Sequence, residues 1–80
     1  MTDWRKFITA DPAVLAGKPV VLGTRLAADF ILGLFASGWT EGQVLENYPA
    51  LSIEALRAVF AFAAETLGDE SFYPSRRKMG

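Results

Sequence analysis

Between Ser52 and Gly68 the chain carries a stretch that is apolar on almost every side. Ile53, Leu56, Val59, Phe60 and Ala63 recur at helical spacing as one stripe. Ala55, Ala58, Ala61, Phe62 and Ala64 fill most of the remaining circumference. A helix with this pattern is one that is buried all round. The chain has only 80 residues, and a domain near this size buries only about 60% of the surface its unfolded chain exposes. Part of the helix is therefore expected to face another chain, most simply a second copy across a twofold axis. Val59, Phe60, Phe62 and Ala63 are the expected contact residues of that homodimer. Hydrophobic residues make up 51% of the chain, too many for disorder, and a net charge of −1 resists self-association only weakly.

Helix signals punctuate the rest. Phe30, Ile31, Leu34 and Phe35 mark one face of a helix over residues 27–37, with Gly38 placed as its left-handed stop. Thr40-Glu41-Gly42-Gln43 has the form of a capping box. Trp39 and Val44 bracket it as a hydrophobic staple, and Pro49 ends the helix over 40–48. A third helix is expected over 52–67, with Leu51 and Leu56 as its staple and Glu54 in the first turn, where the helix dipole favours an acid. Upstream, Phe7-Ile8-Thr9 and Val20-Val21-Leu22 read as two short strands. Their connection holds turns at Asp11-Pro12 and Gly17-Lys18-Pro19, and is too long for a tight hairpin. The expected fold is mainly α: a small trihelical, homeodomain-like domain of helix–turn–helix or winged-helix-like type, preceded by two short β-strands. It occupies residues 1–68 as a single domain, and residues 69–80 are expected to be a flexible tail.

Composition removes most chemistries. With no Cys there is no disulfide, thiolate nucleophile or Cys-based zinc site, and with no His the commonest metal ligand and general base are missing. No cofactor or metal is expected. Glu41, Glu46 and Glu54 read as solvated helix faces, so enzymatic function is not expected. Gly17-Lys18 fails as a phosphate loop, because Pro12 stands where the first Gly belongs and Pro19 follows the Lys. No run is long enough to span a membrane, and no apolar stretch follows Met1 to Lys6, so a cytoplasmic location is expected.

Charge separates the chain into three parts. Residues 1–25 carry +2, residues 26–70 carry −6 and residues 71–80 carry +3. A polyanion would meet the ends. The third helix offers Arg57 alone as a reader of base edges, with Glu54 and Glu65 nearby, so it is a poor recognition helix. The expected DNA-binding residues are instead Lys18, Thr24 and Arg25, with Arg5 and Lys6, as a β-type or arm-type reader doubled in a dimer. The alternative is a turn with solvated charges, Arg25 being tied to an acid such as Asp29. In the tail, Phe72, Tyr73, Arg76 and Arg77 are the expected partner-binding residues, being aromatic and Arg anchors side by side.

Ile8-Thr9-Ala10-Asp11-Pro12, followed by Gly17-Lys18-Pro19-Val20-Val21-Leu22-Gly23-Thr24-Arg25-Leu26, resembles the opening of domain-of-unknown-function family 433. Leu34 to Thr40, Tyr48 to Ser52 and Ile53 to Ala58 are similar to its helical part, although Ala27-Ala28 stands where the family often has Pro and Val. The resemblance implies a trihelical, homeodomain-like domain. It also implies an antitoxin of a type II toxin–antitoxin system, able to bind a PIN-like ribonuclease toxin and its own operator DNA. A protein-interaction module that never touches DNA is the other expectation.

Overall fold

A computed structural model of the chain describes residues 3–68. It is mainly helical, with three α-helices and a short two-stranded antiparallel sheet. Strands β1 (Ile8–Thr9) and β2 (Val20–Val21) pair with Ile8 opposite Val21 and Thr9 opposite Val20. Helices α1 (Ala28–Ala36), α2 (Glu41–Asn47) and α3 (Ile53–Leu67) follow. A single 3₁₀ turn, Trp4–Lys6, precedes β1, and a second, Leu15–Gly17, lies in the connection between the strands. Leu15, Ala16 and Gly17 all have positive φ, at 49°, 56° and 84°. Two of these residues carry a Cβ in the left-handed region, at a cost of roughly 1–2 kcal/mol each. Among the described residues no helix is long and apolar enough to cross a membrane.

The helix ends follow from local chemistry. Thr40 Oγ1 accepts from Gln43 N–H while Gln43 Oε1 accepts from Thr40 N–H, which closes a capping box and satisfies two backbone donors. Ser52 Oγ accepts from Ala55 N–H and starts α3. Gly38, at φ +100°, reverses the chain after α1. Its N–H donates to Phe35 O, and Trp39 N–H donates to Leu34 O. A side chain at that φ would strain the backbone.

The core is apolar throughout. Ile8 and Val21 from the sheet meet Ala28 and Ile31 of α1, Val44 of α2, and Ala55, Leu56, Ala58 and Val59 of α3. No polar side chain is buried among the described residues. α3 is the central element, packing on the N-terminal 3₁₀ turn, on β1, on α1 and on α2. It is not covered all round. Val59 has no exposed surface and belongs to the chain's own core. Phe62 packs edge-on against Trp4, with ring centroids 4.9 Å apart. Both residues were expected at a dimer contact. Phe60 does reach the surface, at 38% exposure, while leaning on Phe35 at 5.0 Å.

Candidate functional site

The segment from Gly17 to Asp29 forms a hairpin that runs straight into α1. Val21 N–H donates to Leu26 O at 3.0 Å, and Val20 bridges Ala27 in antiparallel register. Leu26–Ala27 therefore returns beside β2, on the side away from β1. Gly23 at φ +81° makes the reversal. Thr24 pins it, since its backbone N–H and its hydroxyl both donate to Val21 O, while its Oγ1 accepts from Leu26 N–H at 3.0 Å. The hydroxyl is thus consumed by the turn itself. Replacing Thr24 by the isosteric Val removes these side-chain bonds and leaves Leu26 N–H without its acceptor. The expected loss is about 1–2 kcal/mol in chemical denaturation, and an unchanged midpoint would remove Thr24 from this structural role.

The register continues past the bridge. Ala28 N–H donates to Pro19 O at 2.8 Å, and one step further Lys18 lies beside Asp29. Lys18 Nζ donates to Asp29 Oδ2 at 2.9 Å, with both groups largely exposed. The Lys18 hydrogen bond holds the Asp29 carboxyl below its ordinary value. Exposed pairs of this kind contribute about 0–1 kcal/mol. Asp29 therefore belongs to Lys18, not to Arg25.

The other basic residues expected at DNA are distributed differently. Arg5 Nη2 donates to Glu65 Oε2 at 2.9 Å, and its guanidinium lies over the Trp4 ring, 4.4 Å from the centroid. That places Arg5 at the far end of α3. Lys6 and Arg25 are exposed, and neither makes a salt bridge among the described residues. The tail residues Phe72, Tyr73, Arg76 and Arg77 lie outside the described residues.

Arg25 stands at the rim of an open groove of about 540 Å³. Val14, Val20 and Leu22 supply its apolar lining, and Thr9, Asp11, Thr24 and Arg25 its polar lining. Leu22, just after β2, is 60% exposed, and Leu15, in the connection between the strands, is 41% exposed. Asp11 is a site residue that sequence reasoning missed. Its Oδ1 accepts from Ala13 N–H, as in a turn, and the turn signal Asp11-Pro12 hides that its carboxylate borders the same groove as Arg25. The groove thus offers an exposed cation, a carboxylate and an apolar floor.

The family model described as "Protein of unknown function (DUF433)" matches residues 8–63, which take in the sheet, the Arg25 hairpin and most of α3. The chain belongs to that family. It is similar to "Uncharacterized protein y4eO" of Sinorhizobium fredii (strain NBRC 101917 / NGR234), with 34% identity over 59 residues. The match takes in 74% of this chain and 27% of that protein, so the chain spans about a quarter of its relative's length. No solved structure matches the chain.

Proposed function

We propose that this DUF433 protein is an antitoxin-like binding protein of homeodomain-like, helix–turn–helix build that performs no reaction. It neutralises a PIN-like ribonuclease toxin by occlusion and binds its own operator DNA as a dimer. The observation that carries this reading is Arg25, an exposed guanidinium without an ion pair among the described residues, held at the rim of the groove by the Gly23–Thr24 turn. A guanidinium in that setting suits bidentate contact with phosphate or carboxylate. Mobility-shift titration of the upstream DNA at several salt concentrations tests it. Arg25→Ala is expected to weaken binding about 10-fold and to flatten the salt dependence by about one phosphate contact. Absence of any shift at low salt, or a shift untouched by Arg25→Ala, removes the DNA half.

A second reading, a protein-interaction module that never touches DNA, is favoured by the acids around the cations. Lys18 and Arg5 are engaged by Asp29 and Glu65, and Asp11 faces the groove that a phosphate would have to enter. Apolar Val14 and Leu22 beside one acid and one base suit a protein segment better than a polyanion. Co-purification of a nuclease-like chain without operator binding separates this reading from the first.

A further inference from the structure

We infer that the outer face of α3 is a self-complementary seam on which a second copy of α3 docks antiparallel, with Phe60 on the twofold axis. This names the contact behind the dimer of the preceding reading, and it does not depend on what the Arg25 hairpin binds.

The observation is a spacing in exposure. Ile53, Arg57, Phe60, Ala64 and Leu67 are all exposed, while Ala55, Leu56, Ala58 and Val59 are buried on the opposite side. The exposed positions advance by four, three, four and three residues, the alternation that keeps one seam facing a partner helix. Ile53, Phe60 and Leu67 are 36%, 38% and 56% exposed, so three of the exposed large apolar side chains stand in one row. Ile53 and Leu67 lie seven residues either side of Phe60, and Arg57 and Ala64 lie three and four residues from it. In an antiparallel pair Phe60 meets Phe60, Ile53 meets Leu67, and Arg57 meets Ala64, whose methyl leaves room for the guanidinium stem. A parallel pair would instead place Arg57 against Arg57.

Charge favours the same arrangement. α3 has no basic residue in its last turn, so nothing of its own there complements the negative end of the helix. Antiparallel docking brings Arg57 of each copy beside the last turn of the other. Arg57 is already held on the rim of the seam by Glu41 of α2, so the cation needs little reordering. A single helix pair is small beside a standard interface, so the dimer is weak and depends on concentration.

The full chain has no Cys, which permits single-cysteine cross-linking. Oxidised Phe60→Cys is expected to form a covalent dimer. Ile53→Cys alone is not, because Ile53 and its copy lie about 21 Å apart along the antiparallel pair. A mixture of Ile53→Cys and Leu67→Cys chains is expected to cross-link. In sedimentation equilibrium, Phe60→Glu is expected to raise the dimer dissociation constant at least about 30-fold. Leu67→Lys, at the exposed end of the helix, shifts it the same way and cannot disturb the core. Self-linking of Ile53→Cys, a chain that stays monomeric at millimolar concentration, or a dimer indifferent to both substitutions overturns the seam. A monomer that still binds operator or toxin removes this pairing alone. A dimer with the predicted cross-links that binds neither removes the antitoxin-like reading alone.

Discussion

Leu56→Ala is expected to lower the stability of the fold by about 3 kcal/mol. Leu56 has no exposed surface and sits in α3 among Ile31, Val44, Ala55 and Val59, with residues from the sheet in the same cluster. Truncation removes three carbons from a cluster built by both strands and all three helices, so the space cannot close by moving one of them. The loss is large here because the domain is small. Domains as a class are stable by about 5–15 kcal/mol, and short ones lie at the lower end. Neither a disulfide nor a buried polar network among the described residues adds to the apolar core. Urea denaturation followed by helical circular dichroism reads the effect as a lower midpoint at unchanged slope. A shift equivalent to less than about 1 kcal/mol would mean that α3 is not packed as described.

Much of this arrangement was legible in the residues. Thr40, Gln43, Trp39 and Val44 announce the start of α2, and Ser52 that of α3, because caps are local and their partners lie within a few residues. The strands, too, fall where β-branched residues cluster, within a residue or two of the expected ends. What the sequence concealed depends on register and distance. Lys18 pairs with Asp29 because the hairpin around Gly23 and Thr24 carries its antiparallel register one step into α1, whereas the local spacing offers Asp29 only as a partner for Arg25. Glu65 meets Trp4 and Arg5 across some sixty residues of chain, and no local pattern encodes that. The apolar circumference of α3 had one reading, burial against a second copy. One side of it, Ala55, Leu56, Ala58 and Val59, is in fact closed by the chain's own sheet and helices, and the outward row through Ile53, Phe60 and Leu67 is what remains.

These placements also bear on the candidate site. Five residues were grouped as DNA contacts by charge and proximity to a motif. In the fold they separate: Thr24 is bound into a turn, Lys18 and Arg5 are paired with acids on different helices, Lys6 is exposed, and Arg25 lines the groove. Motif residues such as Gly23 and Thr24 are accounted for by the turn they build. The chemistry left for a partner is that of Arg25, Asp11 and the apolar side chains between them. A variant that changes Arg25 or the exposed Leu22 while sparing Gly23, Thr24 and the buried Val20 therefore tests recognition rather than folding.

Trp4→Ala is expected to cost about 2–3 kcal/mol and to free the N-terminal turn from α3. One ring serves three contacts: its edge-on packing with Phe62, its indole N–H donating to Glu65 Oε1 at 2.9 Å, and its face carrying Arg5. Glu65 joins them, because its second oxygen accepts from Arg5. The Trp4 hydrogen bond first, and the Arg5 hydrogen bond second, hold the Glu65 carboxyl below its ordinary value of 4.5. A depressed folded-state pKa means that the fold favours the ionised form. The contribution is fully present above the ordinary value and is lost as pH falls through the lower, folded one. Wild-type stability is therefore expected to fall on acidification below about pH 4.5, with Asp29 adding a loss of the same sign through Lys18. Trp4→Ala removes the largest of the contributions that lower the Glu65 value and keeps the Asp29 part, so its stability curve is lower at neutral pH but less steep in acid. Glu65→Gln keeps an acceptor for the indole while deleting the charge, and is expected to flatten the acid limb with a much smaller loss at neutral pH. Urea midpoints for the three proteins across the acid range give the comparison. Parallel curves would show that the clasp contributes packing alone and that the carboxylate does not sense the fold.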